Sequence, residues 1–561
     1  MNHTKEQYDA ISIHNRNLVV TAGAGSGKTR VLVERYLALL VAHEDWDLNA
    51  LVAITFTSKA AQEMRDRVRL ELEKRLREAI TADAAQRWSN LLAQMESARI
   101  DTIHALCASI LRANAAEAGI DPAFRVLDDV AANILLEDAV DTTFQQLMDE
   151  GHPAAALFSI YDDRMIRDAL TPDLVGANLP ELPSDLFDEW QRQWEVHAQD
   201  TLTNLLHGGI FERFRQWQPP HSAREDRLYL VWESCCLELE TLHQSESLPA
   251  RLGALKALIQ AVNLKVGSKG AWGGDENLKQ AKDFLRSLRE TGAEAVAAIG
   301  EPLGDLEREA ARLLPFWLEL LRRVQNLFRE AKARDGLLDF NDLESRARDL
   351  LVGNVHVRER YRGREFKHVL VDEFQDTNEA QWDIVRALAD PMQPGSLFIV
   401  GDEKQSIYAF RGADVRVFGA ARETIVNAGG MRIPLAQSFR THKPLVDSFN
   451  SLFEHLLTQS APHRHYEVKF DQGMTAARAT PPHDAPAMEL ILIDKSLLQV
   501  ENDKAAAARR EAYEIAQRLQ LLVNAETPIY DKERHHSSGG IQRHGTAVSV
   551  DGACDGLRRS V

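Results

Sequence analysis

The sequence predicts an α/β chain built on a parallel sheet and interrupted by a large helical insertion, on three observations. A β-branched run, Leu18 to Thr21, meets a glycine-rich turn and then an apolar-periodic helix in NLVVTAGAGSGKTRVLVERYLALL, the strand, loop and helix succession of a phosphate-binding unit. Helix then follows helix from about residue 121 to about 334, with almost no strand signal. Strands return in FKHVLVDE and SLFIVGD, so a sheet begun near the amino terminus is resumed after the excursion.

Composition sets the outer bounds. The 561 residues suffice for roughly three to five domains with real cores. Hydrophobic residues make up 44% and charged residues 27%, which is globular composition. Lys and Arg number 66 against 84 Asp and Glu, a net charge of -18, so any nucleic-acid contact has to be a local groove and not a basic shell. The start, MNHTKEQYDAISIHN, lacks a basic end followed by an apolar block, and no apolar run approaches the length of a bilayer crossing. Neither a membrane span nor a secretory signal is expected. The 4 cysteines, with Cys235 beside Cys236 and no second pair at zinc spacing, read as reduced structural thiols of a cytoplasmic protein.

The elements follow in order. A second strand, LVAITFTS, leads into AAQEMRDRVRLELEKRLREAI, where Met64, Val68, Leu72 and Leu76 recur at every fourth position among charges of both signs. This is an amphipathic helix packed on a sheet. The helical stretch breaks at Gly151 to Pro153, Pro180 to Pro183, Pro219 to Pro220 and in VGSKGAWGG. That loop reads as solvated, with contact of Lys265, Lys269 and Trp272 to duplex DNA as a second reading. Past about residue 430 another unit starts with MRIPLAQSFR, continues in helical SFNSLFEHLL and includes a strand candidate, AMELILID. PHRHYE and ERHH lack metal-ligand geometry on any identifiable element and read as surface. From Ser537 the string SSGGIQRHGTAVSVDGACDGLRRSV has neither helical nor strand period.

Ala22, Gly23, Ala24, Gly25, Ser26, Gly27, Lys28 and Thr29 fit the Walker A pattern, with Ala22 where a first glycine is usual. Successive backbone N–H groups can converge on phosphate oxygens because glycine tolerates the required dihedrals, and the following helix adds its positive end. Lys28 is placed to reach the β and γ phosphates, and the Thr29 hydroxyl to bind Mg²⁺. The apolar run HVLV ends in Asp372 and Glu373, one carboxylate to hold Mg²⁺ and the next to orient and deprotonate an attacking water. Such a pair suits ATP hydrolysis. The next strand ends in GDEKQSIYAFRGAD, where Gln405 is a neutral side chain able to sense a γ-phosphate. Tyr408, Phe410 and Arg411 are of the types that stack on unpaired bases. They suit a buried aromatic turn equally well.

In their order, AGAGSGKT, TFTSKAAQEMRDRV, DTIHALC, LDFNDL, VDEFQDT, VGDEKQSIYAFRGAD and LAQSFRT resemble the superfamily 1 DNA helicases of the UvrD/Rep/PcrA type, with the long insertion and ARIDTIHALCASILRANAAEAGIDPAFRVLDD closest to the RecB/AddA branch. The resemblance covers about residues 4 to 460 and implies a P-loop NTPase with a RecA-like motor domain over 1–120 and 335–430. It further implies a helical insertion over 121–334 and the start of a second, incomplete RecA-like domain over 431–536. It implies that Gln7 reads the adenine edge, that Phe439 stacks on the base in place of a tyrosine, with Ser438 replacing an asparagine, and that Arg440 is the arginine finger. By the same resemblance Phe56, Lys59 and His104 join Tyr408, Phe410 and Arg411 in contacting DNA. The implied activity is ATP-dependent, Mg²⁺-requiring translocation 3′ to 5′ on single-stranded DNA with unwinding of forked DNA, in repair or recombination. A two-domain ratchet would carry it, alongside a helicase or nuclease partner subunit.

The later motifs of the second motor domain and a carboxy-terminal nuclease have no match in this sequence. Reading a permissible back-translation of Ser537 onward one base later gives RPAEYSDMALLFRWTALAMAYEEA, close to the strand that relatives carry there. A truncated or frameshifted product is therefore expected, with 537–561 out of frame. Weak or absent unwinding follows, and roughly the last 120 residues are expected to fold poorly alone because strand edges lack partners. Two other readings compete: a nucleotide-responsive single-strand-binding fragment without motor action, and a P-loop switch unrelated to DNA. DNA-stimulated ATP turnover separates them.

Overall fold

The computed structural model describes residues 3–207, 209–409, 412–458, 467–478, 488–492 and 504–525. Two compact units result: Met1–Leu127 with Gly336–Val561, and Asp128–Asp335. The helical unit thus runs Asp128–Asp335, a few residues from the expected 121–334.

The first unit is organised by six parallel strands: β1 (Leu18–Ala22), β2 (Leu51–Thr55), β3 (Arg99–Thr102), β4 (His368–Val371), β5 (Leu397–Gly401) and β6 (Met431–Leu435), in the order β3-β2-β4-β5-β1-β6. Every residue of β2, β4 and β5 is buried, as continuous apolar runs in a sheet covered on both faces require. Alternation along each strand divides two cores. Val19, Val52, Ile54, Val369, Val371 and Ile399 point to one face, and Leu18, Val20, Ala53, Leu370, Phe398 and Val400 to the other. Helix Ser58–Glu78 buries Met64, Val68 and Leu72 on the second face, the stripe expected from their spacing. A parallel ladder of Arg125–Val126 with Leu337–Leu338 joins the chain before and after the excursion.

Met431–Leu435 differs from its expected place. It pairs in parallel with β1 from Leu18↔Met431 to Ala22↔Leu435, so the first sheet continues past residue 430, where a new domain was expected to start. The reason is edge pairing: β1 would otherwise leave one row of backbone groups unmatched beside the phosphate loop. A separate two-stranded parallel sheet begins only with β7 (Gln437–His442), paired with β8 (Thr475–Arg478), and helix Lys443–Leu456 lies between them in sequence. Of the strand candidate at 487–494, residues 488–492 carry no strand and are exposed, and no strand among the described residues pairs with them. Most of PHRHYE, all of ERHH and the tail from Ser537 lie outside the described residues.

The helical unit packs two cores. One is built on Phe211, Phe214, Trp232, Leu255, Trp272 and Leu285, the other on Leu136, Leu147, Leu157, Leu320, Val324 and Phe328. Trp272 departs from the reading of the VGSKGAWGG loop as solvated or DNA-facing, although most of the loop is exposed. Its side chain is 0% exposed, and its indole N–H donates to Asp226 Oδ1 at 3.1 Å. Asp226 also accepts the Ser268 N–H at 3.0 Å and the Leu228 N–H at 2.8 Å, so one carboxylate anchors the loop. Lys269 pairs with Asp275 at 2.9 Å.

Candidate functional site

The ends of β1, β2, β4 and β5 carry the candidate residues, the edge of a parallel sheet where ligands of such folds bind. After β1 the chain turns through Gly25 and Gly27, whose φ angles of 75° and 86° lie in the left-handed region. Gly27 caps helix Lys28–Ala42, so the loop amides and the helix start converge at Lys28 and Thr29. Gly25 also permits close approach. A Cβ there would lie 2.7 Å from Arg440 Cβ and 2.9 Å from Ser438 Oγ.

Asp372 and Glu373 follow β4. Lys28 Nζ donates to Glu373 Oε2 at 2.7 Å, and Gln375 Nε2 donates to the same oxygen at 2.9 Å. Glu373 is the non-glycine residue with positive φ among the described residues, at 48°; a conformation that costs about 1–3 kcal/mol persists only where the surroundings hold it. Asp372 is 9% exposed, and burial first, then the charge of Glu373, push its carboxyl up to about 6 against the pull of Lys28. The same two causes push Asp376 up to about 6, and its Oδ1 is buried without a hydrogen-bond partner.

A hydrogen-bonded chain runs on from Glu373. Gln375 Oε1 accepts the Asp402 N–H at 3.0 Å, and Asp402 Oδ2 accepts from Gln405 Nε2 at 2.8 Å. Phe56, just past β2, meets Tyr408 with ring centroids 4.8 Å apart. An open cavity of about 590 Å³ is lined jointly by Thr29, Asp372, Glu373, Gln405, Phe56 and Tyr408. Lys59 is exposed in the first turn of helix Ser58–Glu78. Phe410 and Arg411 lie outside the described residues.

Thr29 and Asp372 offer a hydroxyl and a buried carboxylate to that cavity, with Glu373 and Asp376 adding negative charge. Hard oxygen donors in excess of cationic ones fit Mg²⁺, which takes one or two carboxylates and completes its shell with phosphate and water. No ready-made cage of three or more His, Cys, Asp or Glu occurs among the described residues.

The remaining expected residues divide. Gln7 is buried and donates its Nε2–H to Ser26 O at 2.9 Å, while Thr4 and Gln7 close a capping box; it touches the phosphate loop from helix Lys5–Ser12. The Phe439 N–H donates to Gly25 O at 2.9 Å and Ser438 Oγ to Ala24 O at 3.2 Å, which sets β7 against the loop. Arg440 is exposed. His104 contacts Glu344 Oε1 through Nε2 at 2.7 Å, away from the lining of the shared cavity.

Sequence reasoning missed four residues. Gln375 and Asp402 stand inside the quoted VDEFQDT and VGDEKQS strings, yet their spacing does not show that they bond each other. Glu344 ends LDFNDLE and gives no local signal. Met474 lies in no motif, although its sulfur stands 2.7 Å from where a Cβ on Gly23 would be.

Residues 3–425 match the family described as UvrD/REP helicase N-terminal domain. An ATP-dependent helicase/nuclease subunit of Bacillus cytotoxicus is 28% identical over 573 residues, covering 94% of this chain and 45% of the relative. That of Listeria innocua is 27% identical over 593 residues, covering 94% and 46%, and that of Bacillus cereus 26% over 572 residues, covering 94% and 45%. The chain therefore spans about half the length of the curated relatives it matches.

Proposed function

Because the chain belongs to the UvrD/REP helicase family, as its motif order implied, we propose that it hydrolyses ATP with Mg²⁺ to move 3′ to 5′ along single-stranded DNA and open forked DNA in repair or recombination. The observation that supports this reading best is the shared cavity, where Thr29, Asp372, Glu373 and Gln405 line the same space as Phe56 and Tyr408. Hydrolytic groups and a base-stacking pair in one cavity are what a motor on DNA needs and a nucleotide switch does not.

In this reading Ala22, Gly23, Ala24, Gly25, Ser26 and Gly27 cradle the phosphates, Lys28 neutralises their charge, and Gln7 and Phe439 hold the base. Thr29 and Asp372 would hold Mg²⁺, which would neutralise phosphate charge when bound. Glu373, aimed by Lys28 and Gln375, accepts the proton of the attacking water. Gln405 relays the state of the site through Asp402 and Gln375, and Arg440 stabilises charge as the terminal phosphate leaves. Phe56 and Tyr408 grip bases by stacking, aided by Lys59, His104, Phe410 and Arg411. The relatives are named as one subunit of a helicase/nuclease, and a partner subunit is proposed here on that ground. No described helix is long and apolar enough to cross a membrane, and work on DNA implies a cytoplasmic protein.

The test is ATP turnover by the purified chain with and without oligo(dT). Turnover stimulated by the oligonucleotide is expected, and Lys28→Ala is expected to lower it by about 100-fold or more. Oligonucleotide binding without stimulated turnover would favour the single-strand-binding reading. Stimulation that survives Lys28→Ala would refute the assignment of the site.

A further inference from the structure

Glu344 is a buried carboxylate for which the hydrolytic site has no use. It lies in helix Phe340–Gly353, is 7% exposed, and binds three side chains: His104 Nε2 at 2.7 Å, Gln381 Nε2 at 2.6 Å and Asn378 Nδ2 at 2.9 Å. Burial pushes its carboxyl up, but His104 and the two amides outweigh that and leave it below the usual range. An ionised carboxylate only accepts, so His104 Nε2 carries the hydrogen of their bond. The Phe340 ring, 4.5 Å from the imidazole centroid, holds the ring from another side.

The donors come from two elements with different tasks. His104 stands in the first turn of helix Ile103–Ala113, directly after β3. Asn378 caps helix Glu379–Leu388 and takes the Gln381 N–H on its own Oδ1 at 2.8 Å. That helix leaves the segment 372–377, which carries Asp372, Glu373 and Asp376. A single carboxylate thus ties the helix bearing His104 to the exit of the hydrolytic segment. A packing role does not call for a charge, since an apolar side chain of similar volume usually serves a buried site as well or better. A carboxylate that accepts a ring N–H does fix the orientation of a histidine.

We propose that Glu344 is a positioning residue that orients His104 toward single-stranded DNA and makes that contact depend on the 372–377 segment, so that strand binding and ATP turnover are coupled through it. The proposal rests on the reading of His104 as a strand contact.

The test measures ATP turnover of the full chain against oligo(dT) concentration for the unaltered protein, Glu344→Gln, His104→Ala and the double variant. Glu344→Gln is expected to lower the ratio of DNA-stimulated to DNA-free turnover about tenfold and to raise the half-saturating oligonucleotide. The double variant should then be no worse than His104→Ala. A role confined to packing would lower both rates alike, keep their ratio and add to the His104→Ala loss, which overturns the proposal. If His104→Ala leaves the oligonucleotide response unchanged, the strand reading of His104 fails and the proposal falls with it. If His104→Ala weakens the response and Glu344→Gln does not, the proposal alone falls. Should Glu344→Gln not fold, Gln381→Ala removes one donor and keeps the carboxylate; it is expected to lower the same ratio, and an unchanged ratio overturns the proposal.

Discussion

Replacing Asp372 by Asn isolates what a buried carboxylate at the end of β4 costs the fold. The side chain is 9% exposed, and its carboxyl titrates at about 6 instead of 3.8 because of burial and then the charge of Glu373. A gap of about two pH units at about 1.4 kcal/mol each amounts to about 3 kcal/mol against the ionised form. Between about pH 4 and about pH 6 the folded state holds a proton that the unfolded chain has released, so stability falls as pH rises through that window. Above it the penalty is complete. Asn keeps the oxygen that accepts the Glu373 N–H at 3.0 Å and carries no charge. Asp372→Asn is therefore expected to be more stable than the parent by up to about 3 kcal/mol at pH 7.5 or so, with the difference shrinking to about 1 kcal/mol near pH 4.5. Urea unfolding at the two pH values measures this, and comparing variants cancels groups titrating in common, Asp376 among them. Equal midpoints at the higher pH, or a gap that does not change with pH, would refute the reasoning. The gain in stability should accompany loss of ATP turnover, since the charge that strains the fold is the one proposed to hold Mg²⁺.

Two further outcomes follow from packing. Gly25→Ala places a Cβ 2.7 Å from Arg440 Cβ at a φ of 75°, which costs about 1–2 kcal/mol for the left-handed backbone and a similar amount for overlap. Hydrogen exchange at the Phe439 amide, bonded to Gly25 O, should then accelerate by roughly 30-fold or more; unaltered protection would show that β7 does not rest on the loop. Trp272→Ala is expected to destabilise the helical unit by about 3–5 kcal/mol in urea while oligonucleotide affinity stays the same, and weaker DNA binding without destabilisation would restore the loop to a DNA role.

Much of the scaffold was legible because it depends on near neighbours. The runs LVVT, LVAIT, HVLV and LFIVG are apolar throughout because their sheet is covered on both faces. Glycines stand at 25 and 27 because the turn takes positive φ at both positions, and Met64, Val68 and Leu72 share a face because a helix repeats every 3.6 residues. β3 was harder to see: RIDT is only 4 residues long and mixes charge with apolar character at an edge of the sheet.

Within the site the residue types were readable and their partners were not. Phe56 and Tyr408 are far apart in sequence, and only the order β2-β4-β5 brings the ends of their strands within reach of each other. Glu344 resembles any surface acid of an amphipathic helix until His104, 240 residues away, closes on it. Trp272, in a loop rich in glycine and lysine, gives no sign of the Asp226 carboxylate that draws it into a core.

The sequence by itself determined that a phosphate loop, a pair of hydrolytic-type carboxylates and a set of aromatic residues occur in one chain around a helical excursion, since each is written in a few contiguous residues whose backbone and side-chain chemistry acts locally. Only the tertiary structure decided which strands are neighbours, that Met431–Leu435 completes the first sheet, and that Glu344, Gln375 and Asp402 link the motifs. Those outcomes depend on backbone pairing and burial between segments hundreds of residues apart, and local period carries no information about which partner a strand or a carboxylate will meet.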